Sequence, residues 1–409
     1  MTGAISPRRI LVHDYAGHPF QVQLSRELAV RGHTVLHVHS ASVQTPQGAL
    51  ARCVDETDRF GVQAITLSAT IEKAAYFRRY WQERRYGAHL ARVVRDFRPA
   101  VVISANTPLE AQARALRAAR HADARFVFWL QDIQSVGFER TLQTRLGLAG
   151  ALAARRFGGL ERRLLRASDR VVAISEDFLA TLAGFGVSPQ STSVIENWAS
   201  MEELPLRARD NPWARKHGIV DKFCFLYSGT LGLKHDPELL VALADRYRAI
   251  HDVAVVVVSE GASADYLARR KAELGLSNLR VLPFQSYVVL PDVMASADVL
   301  VALLEPAAGV FSVPSKVLSY LCAGRALLLA VPADNLAARI VRRSASGAVT
   351  DPDDRDAFLR AAECLRANPD IRAAMATNAI KYAMQTFDIG AIGDRFEALL
   401  ESMDSRSGE

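Results

Sequence analysis

Three stretches of this 409-residue chain combine small, basic and helix-starting residues in patterns suited to gripping phosphate. The first is Tyr227-Ser228-Gly229-Thr230-Leu231-Gly232-Leu233-Lys234-His235-Asp236, which follows an apolar run and precedes a helix opening at Asp236-Pro237-Glu238. Its small residues let backbone N–H groups approach a diphosphate, and Lys234 can neutralise the charge. The spacing is not that of GxxxxGKS/T, so an ATPase reading finds no support. A tight strand-to-helix turn with a solvated lysine is the plainer alternative. The second stretch, Val313-Pro314-Ser315-Lys316, leads into Val317–Gly324. Proline is favoured at a helix start, and the N–H groups of Ser315, Lys316 and Val317 would be free to meet an anion there. Simple capping beside a surface lysine would look the same. The third, His13-Asp14-Tyr15-Ala16-Gly17-His18-Pro19, holds one glycine where a dinucleotide fold carries GxGxxG, which disfavours a nicotinamide enzyme. Gly17 still permits a ligand to come close to the backbone.

Acidic candidates are fewer. Glu305 ends an apolar run and could bond sugar hydroxyls. Asp351-Pro352-Asp353-Asp354 looks superficially like a metal cluster, but a helix cap before Arg355 explains it better. With no Asp-x-Asp at a strand end, no obligatory metal or other cofactor is expected. His33, His37 and His39 read as sheet or helix-end residues. Cys53, Cys224, Cys322 and Cys364 show no CxxC spacing, so neither a disulfide framework nor a zinc site is expected.

The elements that must position these loops alternate in type. Arg9–His13, Thr34–His39, Ala100–Ile103, Phe126–Leu130 and Val171–Ile174 read as strands, with helical spacing in Phe20–Arg31, Tyr76–Phe97, Leu109–His121 and Leu160–Ala167. The order repeats in Phe223–Tyr227, Ala254–Ser259, Arg280–Leu282, Val299–Leu303 and Ala326–Ala330. Such alternation predicts βαβ units: an α/β chain of two Rossmann-like parallel-sheet domains, 1–200 and 201–385, facing a cleft. Asn197–Gly218, with two prolines and no periodicity, is the candidate linker. The end, 386–409, should form a helix packing back across the boundary, with a frayed tail. Ligands of parallel sheets lie beyond the carboxyl ends of the strands, where all three stretches fall.

No apolar run is long enough to span a membrane and no secretory signal opens the chain, so a cytoplasmic protein is expected. The net charge of +6 is uneven: the first 200 residues hold 26 Lys and Arg against 17 Asp and Glu, the rest 24 against 27. Tyr76–Arg98 and Arg140–Arg166 mix arginine with aromatic and aliphatic residues, which suits an anionic membrane surface as well as a solvated helix face. Nucleic acid is not expected as a partner, since no recognition motif accompanies the charge.

Taken together, the stretches YSGTLGLKHDPELL, Val258-Ser259-Glu260-Gly261, LPFQSYVVLPDVMASADVLV, VPSKVLSYLCAGRALLLA and TFDIGAIGDRFEALL, with LSRELAVRGHTV, WLQDIQ and the VVAISEDF–VIENW pair, resemble the retaining family-four glycosyltransferases of GT-B fold. The likeness runs over nearly the whole chain and is nearest to bacterial exopolysaccharide and O-antigen transferases, the colanic acid group included. It implies a nucleotide-diphosphate-sugar donor and a saccharide or polyprenyl-diphosphate-linked acceptor, met at the inner face of the plasma membrane. It also implies roles. Gly17, Gly229, Thr230, Lys234, Ser315 and Lys316 would hold the diphosphate, Lys234 and Lys316 also stabilising the leaving group. Phe284 and Gln285 would meet the nucleobase. Asp132, in Gln131-Asp132, stands where many members place a histidine near the donor sugar. The family's paired glutamates fall at Phe311 and Ser319, neither acidic; Ser319 would then reach a ribose hydroxyl and Glu305 replace the first glutamate. Many members also carry an arginine where Thr230 and Leu231 stand. A nucleotide-sugar epimerase of the same fold and a non-catalytic nucleotide-sugar-binding protein are the alternatives.

Overall fold

Among the described residues every strand is parallel to its neighbours, and the central strands are runs apolar enough to be buried on both faces. In the computed structural model, which describes residues 6–42, 47–53, 55–67, 76–105, 107–232, 235–306 and 315–404, the chain divides into two units. Unit 1 comprises Met1–Glu196 with Ile389–Glu409, and unit 2 Asn197–Asp388.

Unit 1 runs β1 (Arg9–Asp14), α1 (Pro19–Val30), β2 (Thr34–Ser40), β3 (Phe60–Ile65), α2 (Tyr76–Phe97), β4 (Val101–Ala105), α3 (Leu109–His121), β5 (Arg125–Leu130), α4 (Gln134–Ala167), β6 (Arg170–Ala173), α5 (Asp177–Gly184) and β7 (Thr192–Val194). Its strands lie in the order β3-β2-β1-β4-β5-β6-β7. Every residue of β4 is buried, as expected of a central strand covered on both faces.

The 34-residue helical stretch α4 is not a straight rod. The Glu161 carboxylate accepts from the backbone N–H groups of Gln134 at 2.8 Å and Ser135 at 3.0 Å. On a straight helix those residues would lie about 40 Å from Glu161, so the segment doubles back. Glu161 thereby caps the start of its own segment.

Unit 2 runs α6 (Pro212–Lys216), β8 (Phe223–Ser228), α7 (Glu238–Arg246), β9 (Val253–Val258), α8 (Ala262–Leu274), β10 (Leu279–Leu282), α9 (Leu290–Ala295), β11 (Val299–Leu303), α10 (Lys316–Cys322), β12 (Ala326–Ala330), α11 (Leu336–Ser344), β13 (Gly347–Thr350), α12 (Arg355–Ala367) and α13 (Pro369–Thr386). The sheet order is β10-β9-β8-β11-β12-β13. β9, all valine but for Ala254, is wholly buried, and Phe225, Tyr227, Leu240, Leu243 and Phe358 fill the core beside it. Each such side chain removed from water stabilises the fold by about 1.5–3 kcal/mol.

The polar stretch Asn197–Gly218 is fastened to unit 2 rather than left as a loose connector. The Arg209 guanidinium meets Asp298 at 2.9 Å, Asn211 Oδ1 accepts from Ala214 N–H at 3.0 Å to cap α6, and Trp213 is buried. At the other end, α14 (Ile389–Glu401) belongs to unit 1. Phe396 packs on Trp129 with ring centres 5.0 Å apart. Arg31, at the end of α1, binds Asp394 at 2.6 Å and Glu397 at 2.7 Å.

Candidate active site

A ligand site of a parallel sheet forms where successive connections leave in opposite directions, because the loops there part and open a crevice. In unit 2 that point lies between β8 and β11. Gly229, Thr230 and Lys316 come together beside it. Gly229 follows β8 with φ +128°, a value L side chains rarely adopt, and its N–H donates to the Val258 carbonyl at 3.0 Å. A Cβ there would stand 3.4 Å from Lys316 Cε, so glycine also lets the lysine lie along the turn.

Lys316 opens α10. Its ammonium donates to the Tyr227 hydroxyl and, at 3.3 Å, to the Thr230 carbonyl, and lies 3.8 Å from the centre of the Tyr227 ring. No carboxylate pairs with it among the described residues. Burial pulls its pKa down to about 7, against the ordinary 10.5. A group so placed gains charge readily when an anion arrives. Ser315, the N-cap of α10, is exposed and makes no side-chain cap bond. Because α10 has seven residues its dipole is small, and it contributes little to holding an anion beyond its first-turn N–H groups. Ser319 is half-buried on the same helix, and Glu305 is half-buried just beyond β11.

Phe284 and Gln285 follow β10, at the far edge of the sheet. The Phe284 ring is 45% exposed, and its backbone N–H donates to Glu260 at 3.0 Å. The Gln285 side chain is engaged twice, accepting from Trp213 Nε1 at 3.1 Å and donating to the Pro283 carbonyl at 2.9 Å. Lys234 and Phe311 lie outside the described residues.

Gly17 and Asp132 stand in unit 1. There the corresponding point is between β1 and β4, and Gly17, at φ +76°, sits in the loop after β1. The buried Asp14 carboxylate organises that loop, accepting from the N–H of Ala16 at 3.0 Å and from the N–H of His18, whose ring lies 3.3 Å away. Burial opposes ionisation of both groups, yet each favours the other's charge, so Asp14 falls below and His18 rises above its usual range. Asp132, exposed after β5, adds to the rise at His18. On the other face of β1, burial drives His13 to about 3, and its neutral ring bonds Ser104 at 2.9 Å, Tyr86 at 2.9 Å and Thr107 at 3.0 Å. His37 is likewise a neutral sheet residue, at about 4 through burial and 2.8 Å from Ser25 Oγ. Among the described residues no group of three His, Cys, Asp or Glu is arranged to hold a metal.

Tyr227, Tyr320, Asp14 and His18 are parts of this arrangement that spacing did not single out by role. The tyrosines read as core aromatics; Asp14 and His18 were visible only as neighbours of Gly17.

Two family models match in succession, Glycosyltransferase Family 4 over residues 20–203 and Glycosyl transferases group 1 over residues 210–382. The chain belongs to the family-four glycosyltransferases. Its two parallel-sheet units have the GT-B fold. WcaI of Escherichia coli (strain K12), a protein named for colanic acid biosynthesis, is 27% identical over 213 residues, which are 50% of this chain and 51% of that one. The match thus spans about half the length of that curated relative. HepE of Anabaena, solved in complex with UDP and glucose, superposes with a TM-score of 0.70 at 17% identity, covering 97% of this chain and all of that one. Sucrose-phosphate synthase from Thermosynechococcus elongatus gives 0.71 at 15%, covering 98% and 100%. WaaG, a glycosyltransferase involved in lipopolysaccharide biosynthesis, gives 0.67 at 15%, covering 95% and 98%.

Proposed function

We propose that this family-four glycosyltransferase moves a sugar from a nucleotide-diphosphate-sugar donor to a saccharide acceptor carried on a polyprenyl diphosphate, with retention of configuration, in building a cell-surface polysaccharide. The observation that carries the reading is the lysine of α10 lying along a glycine turn at the β8/β11 crevice. In the transfer the bond from the anomeric carbon to the diphosphate breaks as the acceptor oxygen bonds that carbon from the same face. The acceptor's proton passes to a phosphate oxygen of the departing nucleotide. Negative charge grows on the diphosphate, and a fixed cation aimed at growing charge is often the largest contribution to catalysis. Lys316 would supply it, with Lys234, Ser315 and the backbone of Gly229 and Thr230 around the phosphates, so no metal is required. Ser319 and Glu305 would serve the ribose and sugar hydroxyls, Phe284 and Gln285 the base. UDP in the HepE structures supports a nucleotide donor for a chain of this fold.

Unit 1 would receive the acceptor, with Gly17 and Asp132 in its loops. Arg155, Arg156, Arg162, Arg163 and Arg166 of α4 are exposed or nearly so alongside Leu152, 71% exposed, and Trp81 of α2 is 64% exposed with Arg84 over its ring at 5.2 Å. Such a mixture suits peripheral docking on the anionic inner face of the plasma membrane.

The test supplies UDP-, GDP-, dTDP- and ADP-sugars with polyprenyl-diphosphate-linked saccharides and follows elongated product and its anomeric configuration. Transfer with retention is expected. Isomerised donor without acceptor would make the protein an epimerase, and tight donor binding without transfer would make it a binding protein; either would refute the proposal.

A further inference from the structure

Two buried phenols lie beside the crevice of unit 2: the oxygen of Tyr227, on β8, meets Thr230 and Lys316 at the start of α10, and that of Tyr320, on α10, meets Ser228 at the end of β8. Tyr227 and Tyr320 are 0% and 1% exposed. We propose that they form a positioning pair for Lys316, fixing its ammonium where the donor's diphosphate is read, an inference that rests on the donor-site reading above.

The Tyr227 hydroxyl donates to the Thr230 carbonyl at 2.8 Å, which leaves its lone pairs to accept from Lys316. Its ring holds the same ammonium at 3.8 Å from the ring centre, a cation–π contact. A lysine ammonium has three N–H donors. With one on Tyr227 and one on Thr230, a single donor is left for a ligand oxygen.

Tyr320 stands one turn beyond Lys316, on the same helix face. Its hydroxyl accepts from the Ser228 N–H at 2.8 Å and donates to the Ser228 carbonyl at 3.1 Å. The β8–β11 pairing covers Phe225 and Leu226, two residues short of Ser228. A phenol from α10 therefore takes the place of a strand partner where the ladder has ended, and it ties the helix that carries Lys316 to the turn that carries Gly229. Phenylalanine would fill either space without burying a hydroxyl, so the two oxygens are spent on this registration. Among the described residues the titratable groups nearest this arrangement are Tyr227 from β8, Tyr320 from the same helix and His235, whose ring lies 6.4 Å from that of Tyr227, and burial holds both tyrosines above their ordinary range and neutral. Neither neutral phenol competes with an incoming diphosphate for the ammonium's charge.

Tyr227→Phe, Tyr320→Phe and Lys316→Met are compared with the wild type by calorimetry at pH 8 in two buffers of different ionisation enthalpy. UDP-glucose, GDP-mannose, dTDP-glucose and ADP-glucose are the probes, and the tightest is carried forward. Wild type should take up close to one proton on binding. In each Phe variant the affinity should fall about tenfold, the scale of one hydrogen bond to a charged group. Proton uptake should also drop in Tyr227→Phe, because an ammonium released to solvent is already protonated, and donor KM should rise more than kcat falls. A thermal melt confirms that the variants fold, and either one that does so tests the pair. Wild-type affinity and uptake in the folded Phe variants, with binding lost in Lys316→Met, would overturn the pair alone. Undiminished binding in Lys316→Met, or no binding of any donor by wild type, would sink the donor-site reading beneath it.

Discussion

Raising the pH should weaken nucleotide-sugar binding before it affects anything else at the site. Lys316 sits at about 7 because burial penalises its charge. A diphosphate within reach would favour the ammonium and return it toward the 10.5 of a free lysine. The pKa is then higher with ligand than without, so binding takes up a proton throughout the window between those values. Affinity is greatest below pH 7, falls as pH rises through the window, and levels off above it. Full recovery of the charge predicts a loss of roughly fifteenfold between pH 7 and pH 8.5, or about 1.6 kcal/mol, a factor of ten being about 1.36 kcal/mol. This is a ceiling, since any charge lost from the bound ammonium reduces it. A nucleotide sugar suits the measurement because its diphosphate, esterified at both ends, has no second ionisation near pH 6 to confuse the profile. Titration calorimetry at four pH values supplies the assay, and Lys316→Met should give a weak and flat profile. A wild-type affinity constant within twofold across the range would refute both the lowered pKa of Lys316 and its contact with the phosphates.

Other perturbations separate the roles of individual residues. Lys316→Met should cut turnover by about a hundredfold or more, the scale of removing one donor from growing charge, read in steady-state transfer assays. Gly229→Ala places a methyl 3.4 Å from Lys316 Cε at φ +128°, and should weaken donor binding while lowering stability by about 1–2 kcal/mol in a urea melt. Arg31→Ala breaks the contacts to Asp394 and Glu397 and leaves the buried Glu397 carboxylate to pair with His33 alone, at 3.4 Å; it should cost about 2–3 kcal/mol, read as a lowered denaturation midpoint, with donor affinity unchanged. Flotation with anionic vesicles should capture the wild type and release a variant with Arg155, Arg156, Arg162 and Arg163 changed to Gln, and equal capture of both would count against docking through α4.

The central strands were legible because a parallel strand covered on both faces must be apolar along its whole length. Val299–Leu303 and Ala326–Ala330 match strands of the structure residue for residue, and Val253–Val258 differs from its expected bounds by one residue at each end. The edge strands escaped for the complementary reason. Phe60–Ile65 is buried only at its two end residues, Thr192–Val194 has three residues, and Gly347–Thr350 is half-buried throughout, so none presents an apolar run. The doubling back of Gln134–Ala167 brings Glu161 onto the N–H groups of Gln134 and Ser135, a long-range contact that periodicity cannot report. At the site, Gly229, Thr230 and Lys316 could be singled out because glycine, small residues and a lysine near strand ends have few structural uses. Tyr227 could not: an aromatic residue in a strand reads as core, and its use depends on a hydroxyl meeting Lys316 from 89 positions away.

The most direct measurement is a crystal structure of the protein with its tightest nucleotide sugar. It should place diphosphate oxygens within about 2.7–3.2 Å of Lys316 Nζ and of the backbone N–H of Thr230, in the crevice between β8 and β11. A nucleotide seated elsewhere, with Lys316 still held by Tyr227 and Thr230 and no phosphate near it, would contradict the account.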